Sequence, residues 1–315
     1  MSAILNSVVP LFAVIFLGYA AGRARFFDEA RVRGLTAFIF YFAMPPLLFR
    51  LMARTDVAAV TEWAFLAGYF ATEVAMFALG AVVGGTIFRM RFANMTIQGF
   101  GSSFSNGVLL GLPLLLWLYG DAGGVPALLI ITLNVVTFSL ITMLLEIAER
   151  GRAGAGIGRK LRDTGRAILA NPILMAALLG LLWSLSGLAL PGVLDRTLEF
   201  IGRAAAPSAL FALGASLSLR QISGSLGPAL TMSASKLLVH PLLALLIFAW
   251  LLDLDPLWVN AGVIFAACPV GLNVYIFAQH YDANVASASS AILISTAIAM
   301  VTITALLLLL PPVGG

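Results

Sequence analysis

The chain has 315 residues, of which 61% are hydrophobic and only 10% are charged, and its formal net charge is +4. A soluble domain does not need so large an apolar fraction for its core, so the composition excludes a soluble enzyme or binding module and indicates an all-α integral membrane protein. We attribute the positive charge to cytoplasmic loops and expect no nucleic-acid partner. The single cysteine, Cys268, forms no intrachain disulfide and no cysteine metal site, and we expect no cofactor.

Apolar runs of about 20 residues, the length that crosses a bilayer core as a helix, occur ten times along the chain. We interpret the first run as a retained span rather than a cleaved signal. The predicted spans are 4–22, 34–53, 63–85, 95–118, 125–148, 169–187, 197–218, 228–252, 257–280 and 285–310.

The distribution of basic residues predicts the orientation of these spans. With both termini outside, the inner loops carry 13 Lys and Arg residues, at 23–33, 89–91, 150–166 and 220, whereas the outer loops carry three. Cytoplasmic loops are the basic ones, so we expect both termini on the outer side. A basic cytoplasmic linker at 149–168 then divides the chain into two halves of five spans, 1–148 and 169–315.

The two halves resemble each other. A shift of 162 residues places Pro10 on Pro172, Gly18 on Gly180 and Pro45 on Pro207. Because each half has an odd number of spans, the second copy enters the membrane in the opposite orientation. An inverted repeat of this kind is typical of secondary transporters, which bind substrate at mid-membrane between discontinuous helices of the two halves.

The fourth span of each half is interrupted. The first interruption reads "SSFSNGVLLGLP" at 102–113, and the stretch at the same offset, 264–275, reads "IFAACPVGLNVY". Proline removes a backbone donor and glycine permits unusual dihedrals, so neither stretch is a regular helix. Backbone groups freed in hydrocarbon need protein or water, which indicates an interior site or a specific packing partner. The helix-breaking residues are Gly107, Gly111 and Pro113 in the first stretch, and Pro269 and Gly271 in the second.

Asn106, Gly111 and Pro113 in "NGVLLGLPLL", with "ACPVGLNVYIFAQHY" at 267–281, resemble the auxin efflux carrier family. This family includes the plant PIN-FORMED carriers and bacterial malonate and other organic-acid permeases. The resemblance covers the whole chain and is most specific in the broken spans. It implies an elevator-type carrier with a bile-acid-symporter-like fold, in which spans 1, 2, 6 and 7 form a scaffold and spans 3–5 and 8–10 form a moving transport domain. Such carriers often dimerise through the scaffold, so a homodimer is a candidate assembly.

The same resemblance implies that a substrate carboxylate binds where spans 4 and 9 cross. Two differences from the plant carriers argue against auxin. The loop between spans 5 and 6 is short, and Asn273 adds polarity to the second break. We therefore expect a small organic anion, a mono- or dicarboxylate such as malonate, carried across a bacterial inner membrane.

Asn106 and Asn273 are the leading substrate-binding candidates, because an amide can donate hydrogen bonds to a carboxylate without carrying a charge. Helix-end amides beside the breaks would add positive partial charge. The alternative is that each asparagine only caps a half-helix. Further candidates for the same cavity are Ser103, Ser105, Gly107, Asn134, Thr137 and Tyr275, although small hydroxyl residues also hold membrane helices together.

Ionisable residues inside spans are costly and indicate function. Glu73 shifted by 162 residues falls on Ser235, next to Lys236, so the two charges occupy nearly equivalent places in the repeats. They form either a buried structural pair or a proton-coupling element. His240 lies one turn beyond Lys236 and titrates near neutrality, but it can also simply hydrogen-bond to backbone.

Three other functions were considered. An enzyme is disfavoured because the chain has no HExxH or GxSxG motif and only two histidines. A channel or receptor-like protein stays open, since a broken-helix crossing can also gate a pore. A sodium-coupled bile-acid-like symporter needs a cluster of oxygen ligands near the crossing. Neither broken span contains an acidic residue, which favours sodium independence.

Overall fold

The structure, a computed structural model, describes residues 2–55, 62–148, 171–222, 224 and 226–310. All regular secondary structure in these ranges is helical, apart from one isolated antiparallel bridge between Ser105 and Val270. The predicted all-helical fold is therefore confirmed for these residues. The expected linker at 149–168 lies outside them.

Eleven helices are named here from the described parts of the chain. They are α1 Ser2–Arg23, α2 Glu29–Ala53, α3 Trp63–Thr86, α4 Phe92–Ser103, α5 Gly107–Ala148, α6 Pro172–Leu185, α7 Gly192–Ser218, α8 Leu226–Leu251, α9 Pro256–Ala266, α10 Leu272–His280 and α11 Val285–Leu309.

Six of these helices, α2, α3, α5, α7, α8 and α11, are long and apolar enough to cross a membrane. Three shorter helical segments are also apolar, namely Val8–Arg23 in α1, α6 and α9. Helix α5 bends at Gly120, whose φ of 60° and ψ of −149° lie outside the helical region, so it contains the end of the fourth predicted span and all of the fifth. These helices make the chain an integral membrane protein.

Several helices begin at side-chain caps that the sequence supplies. The carboxylate of Asp28 accepts a hydrogen bond from the Arg31 amide at 2.9 Å at the start of α2. Asn171 accepts from the Ile173 amide at 3.0 Å, and Pro172 follows as the first residue of α6. A side-chain acceptor satisfies an amide that lacks an intrahelical partner, and proline fits the first turn because it has no amide to satisfy.

Three helices contain a widened turn just ahead of a proline. The turns at Ile39–Ala43, Gly107–Gly111 and Ser235–Val239 precede Pro45, Pro113 and Pro241. The proline ring clashes with the preceding turn of a regular helix, and a π-type turn gives it room. These turns were not predicted from the sequence.

Glycines allow two helix pairs to approach closely. A Cβ added at Gly18 of α1 would collide with the carbonyl oxygen of Phe211 in α7. A Cβ at Gly180 of α6 would collide with the carbonyl oxygen of Phe49 in α2. Helices in lipid associate through close packing rather than through a hydrophobic driving force, and small residues permit it. Helices α1 and α7, and likewise α2 and α6, therefore pack backbone against backbone.

A charged cluster at one end of the molecule connects α2 to α7. Arg50, in the last turn of α2, donates from Nε to Asp195 Oδ1 at 2.8 Å and from Nη2 to Glu199 Oε2 at 3.2 Å. Glu199 also accepts from Arg203 at 2.6 Å. The side chain of Arg50 is only 14% exposed. Arg50 is one of the three basic residues that the sequence assigns to the outer loops, whereas the structure places it in a helix with its charge matched.

Helix α3 packs against α4, α8 and α9. A buried aromatic cluster fills this region, with Tyr69 of α3 at 6.0 Å from the ring of Phe265 in α9, and Phe65 at 5.2 Å from Phe248 in α8. All four side chains are almost completely buried. This packing holds the ends of α4 and α9 against each other, where the two interrupted stretches meet.

Candidate functional site

The first interruption is a short extended segment between α4 and α5. Helix α4 ends at Ser103, and Phe104 has an extended conformation with φ of −80° and ψ of 123°. Asn106, with φ of −74° and ψ of 66°, precedes the widened first turn of α5. The chain therefore leaves helical geometry for three residues, Phe104 to Asn106, where the glycines and Pro113 predicted a break.

The second interruption separates α9 from α10. Helix α9 ends at Ala266, and Gly271 has an extended conformation with φ of −72° and ψ of 144° just before α10. The amide of Val270 donates to Ser295 Oγ of α11 at 3.1 Å. The second break thus recruits a side chain from a neighbouring helix to satisfy its backbone.

The two interruptions pair with each other. The amide of Asn106 donates to the carbonyl of Pro269 at 2.9 Å, and the amide of Gly271 donates to the carbonyl of Phe104 at 3.1 Å. Backbone groups freed inside a membrane must find partners in the protein. Each break therefore supplies hydrogen-bond partners to the other, as the bridge between Ser105 and Val270 also shows.

Close approach at the crossing explains two of the predicted glycines. A Cβ at Gly107 would collide with the ring of Phe265, and a Cβ at Gly271 would collide with the ring of Phe104. Both rings belong to the opposite broken segment. A side chain at either position would push the two segments apart.

Asn106 lies at the centre of the crossing with an unused donor. Its side chain makes no capping hydrogen bond to α5, and the residue is only 5% exposed. The buried amide nitrogen Nδ2 has no hydrogen-bond partner among the described residues. Such a group costs about 1–3 kcal/mol of desolvation if it stays without a partner. This geometry disagrees with the alternative that Asn106 is only a helix cap.

Asn273 lies in the first turn of α10, two residues after Gly271, and is partly exposed. The first amides of a helix have no intrahelical acceptors and carry positive partial charge. Asn273 therefore lies beside a helix end that favours an anion.

The serine hydroxyls beside the break bind backbone carbonyls. Ser105 Oγ donates to the carbonyl of Phe265 at 2.8 Å and lies 3.3 Å from the hydroxyl of Tyr69. Ser103 Oγ donates to the carbonyl of Phe100 at 3.3 Å. These contacts give Ser103 and Ser105 a role in closing the broken helix ends.

The two predicted candidates on α5 lie at a buried carboxylate. Thr137 Oγ1 donates to Glu73 Oε2 of α3 at 2.9 Å, and both residues are buried. Asn134 is also buried, 8% exposed, and precedes Thr137 by three positions, so it lies on the same helix face. The structure thus brings Thr137 together with Glu73.

Lys236 binds the end of the broken helix α9. Its ammonium donates to the carbonyl of Ala266, the last residue of α9, and lies 3.0 Å from Nδ1 of His240. On the other side of that ring, Nε2 lies 3.2 Å from Thr72 Oγ1, which donates to the Tyr69 carbonyl at 2.7 Å. Because the Thr72 proton is used, we assign a neutral imidazole that donates from Nε2 and accepts at Nδ1.

Glu73 and Lys236 bind different partners in this structure. Thr137 binds the carboxylate, and the ammonium binds Ala266 and His240. Within the described chain the two form no ion pair. Groups of three or more His, Cys, Asp or Glu residues that could hold a metal are also absent from the described ranges.

Tyr275 lies on α10 beside a residue that the sequence analysis did not single out. The guanidinium of Arg220, which follows the end of α7, stacks over the Tyr275 ring at 4.2 Å from its centroid. Arg220 was counted only as an inner-loop charge. The one sign of a functional role in the sequence was that Arg220 is a lone basic residue between two predicted spans.

The described residues contain six apolar helices long enough to span a bilayer, and two interrupted helical stretches that pair with each other. Together they define an integral membrane protein with buried polar residues at the crossing of these stretches. The family model described as membrane transport protein matches residues 3–307. The chain belongs to this family, which is that of the auxin efflux carriers.

Curated relatives agree with this assignment. The chain is 30% identical over 311 residues to a protein of Rhizobium meliloti (strain 1021) named as a malonate transporter, with 98% of this chain and 97% of that protein covered. It is 23% identical to the probable auxin efflux carrier component 5c of Oryza sativa subsp. japonica, with 94% of each chain covered. It is 26% identical to the lysosomal cholesterol signaling protein of Mus musculus, where 92% of this chain matches 35% of that protein.

Proposed function

We propose that the protein is a secondary carrier of small organic anions, mono- or dicarboxylates such as malonate, that binds the substrate carboxylate at the crossing of the two breaks. The observation that supports this most strongly is the buried Asn106 Nδ2 without a partner. A carboxylate oxygen accepts such a donor, and the amide carries no charge that would hold the anion permanently. Asn273 and the first amides of α10 would complete the site.

We further propose that the ten apolar runs cross the membrane as two inverted five-helix repeats. Two close helix contacts in the structure support this. The offset of 162 residues takes Gly18 to Gly180, and it also takes Phe49 to Phe211. Gly18 packs on the Phe211 carbonyl and Gly180 packs on the Phe49 carbonyl. Each contact is therefore the image of the other when the two halves are exchanged, as a pseudo-twofold axis requires.

This symmetry predicts equal effects from equivalent substitutions. Gly18→Leu and Gly180→Leu should each lower the melting temperature of the purified protein strongly and by similar amounts, because each side chain meets a backbone carbonyl that cannot move away. Gly34→Leu in α2 and Gly192→Leu in α7 are the controls, since a Cβ at either position has open space. A large decrease in melting temperature for only one of the variants Gly18→Leu and Gly180→Leu would contradict the inverted repeat.

The packing also suggests how the carrier moves. Helices α1, α2, α6 and α7 form one set joined by the glycine contacts and the Arg50 cluster, and we assign them to the scaffold. The remaining helices carry both breaks and form the transport domain that moves as an elevator. We also propose that the protein lies in the bacterial inner membrane with both termini on the outer side. It would form a homodimer through the scaffold.

We also propose that transport is independent of sodium, and the position of Lys236 supports this. The carbonyl end of a helix carries negative partial charge and attracts cations. At the carbonyl end of α9 this place is taken by the ammonium of Lys236. We propose that this built-in cation replaces a coupling sodium ion, and that membrane potential or protons drive transport.

Uptake into proteoliposomes tests the function. Radiolabelled malonate should enter saturably, should exchange with internal malonate, and should do so equally in sodium and choline buffers. Strict dependence on sodium would favour the symporter instead. Currents far above carrier turnover would favour a channel.

A further inference from the structure

Arg220 is a partly buried cation that no carboxylate among the described residues neutralises. It lies between α7 and α8, and its guanidinium covers the ring of Tyr275, two positions after Asn273. The Nε and Nη1 atoms are both buried and have no hydrogen-bond partner among the described residues. No carboxylate in the described ranges forms an ion pair with it.

Arg50 is an arginine with a structural role, and it provides a comparison for Arg220. Its side chain is 14% exposed, and Asp195 and Glu199 accept its hydrogen bonds. For Arg220, the π face of Tyr275 is the one cation-binding contact that the described residues provide. Burial lowers the pKa of the Arg220 guanidinium because desolvation disfavours the charged form, and the nearby Tyr275 opposes this. Arginine stays protonated in proteins, so the charge remains and needs an anion.

The position of Arg220 points to the anion that it would meet. Tyr275 and Asn273 are both partly exposed and share the first turns of α10. Asn106 and Asn273 supply only neutral amide donors, and the start of α10 supplies only a partial positive charge. This combination suits a single carboxylate. Arg220 brings a full positive charge to the ring of Tyr275, within the same turn of α10 as Asn273, and a full charge suits a second carboxylate.

We propose that Arg220 binds the second carboxylate of the substrate, so that the carrier selects short dicarboxylates over monocarboxylates. This inference rests on the proposed carrier function. Arginine is suited to the role because its planar group presents several donors to one carboxylate. Tyr275 would hold the guanidinium in place through its ring.

The test compares malonate with monomethyl malonate, which keeps the carbon skeleton and removes one charge. Binding to purified protein is measured calorimetrically for wild type, Arg220→Gln and Arg220→Lys. Arg220→Gln should weaken malonate binding by at least about 10-fold, the range for a hydrogen bond to a charged group, and change monomethyl malonate binding by less than about 3-fold. The malonate affinity of Arg220→Lys should lie between those of wild type and Arg220→Gln, because lysine keeps the charge and loses the planar donors.

Arg203→Gln is the matched control, since Arg203 is 76% exposed and already paired with Glu199. It should leave both affinities unchanged. Unchanged malonate binding in folded Arg220→Gln, or equal losses for both ligands, would overturn the assignment. If Arg220→Gln does not fold, malonate affinity in Arg220→Lys decides, and a wild-type value there overturns it.

The outcomes also separate this inference from the proposed function. Wild-type protein that binds neither compound would contradict the carrier site itself. Wild-type protein whose malonate binding depends on Asn106 but not on Arg220 would contradict only the role of Arg220.

Discussion

Asn106→Ala should strongly weaken substrate binding while leaving the protein as stable as wild type, or slightly more stable. The substitution removes a donor that the proposed site uses for the carboxylate, which should weaken malonate affinity by roughly 10- to 100-fold, about 1.5–3 kcal/mol for a hydrogen bond to a charged group. In the ligand-free protein it also removes a buried amide without a partner. Calorimetric titration and a thermal melt of the same sample measure both effects.

Asn171 provides the control for this prediction. Its side chain caps α6 by accepting from the amides of Ile173 and Leu174. Asn171→Ala should therefore lower stability by about 1 kcal/mol, as cap removal does, and leave malonate affinity unchanged. Asn273→Ala should behave like Asn106→Ala. Wild-type affinity in both Asn106→Ala and Asn273→Ala would rule out a site at the crossing.

Lys236→Ala should reduce malonate uptake by roughly 10- to 100-fold, because it removes the charged donor that binds the end of α9 beside the crossing, and a hydrogen bond to a charged group contributes about 1.5–3 kcal/mol. The substitution leaves the carbonyl of Ala266 and Nδ1 of His240 without their donor and removes the cation at the end of α9. Uptake into proteoliposomes measures the loss, and a thermal melt reports whether the protein still folds.

Lys160, the only other lysine in the chain, is the control, and Lys160→Ala should transport at the wild-type rate. If Lys236 replaces a coupling ion, a high sodium concentration should restore part of the malonate uptake of Lys236→Ala. The same concentration of choline should restore no uptake. Wild-type uptake by Lys236→Ala in sodium-free buffer would contradict this role.

The sequence was sufficient for the all-helical fold and for the two breaks. Apolar runs of bilayer length leave little choice of structure, since only helices satisfy their own backbone in lipid. Proline and glycine act locally, so Pro113 and Gly271 predicted irregular backbone without knowledge of the fold. The family resemblance rested on these same stretches, and the family is confirmed.

The partners of the charged residues could not be predicted from the sequence. The nearly equivalent places of Glu73 and Lys236 in the repeats suggested either a buried structural pair or a proton-coupling element. In the structure the Lys236 ammonium donates to the Ala266 carbonyl instead of pairing with Glu73, because α9 ends beside it and exposes an unsatisfied acceptor. Arg220 looked like an ordinary loop charge, since nothing in its sequence neighbours indicates that it reaches Tyr275. Contacts of this kind depend on which helix end lies beside which side chain in the folded protein. This arrangement is known only from the three-dimensional structure.

The hydrogen bonds between the two breaks also constrain how the protein can be made. The Asn106 amide finds its acceptor, Pro269, in the second half, and the Gly271 amide finds its acceptor, Phe104, in the first. While the ribosome is still synthesising the second half, the first half therefore sits in the bilayer with an unsatisfied backbone. We therefore expect residues 1–148 expressed alone to be less stable than the full chain, because the Asn106 amide and the Phe104 carbonyl lose these partners.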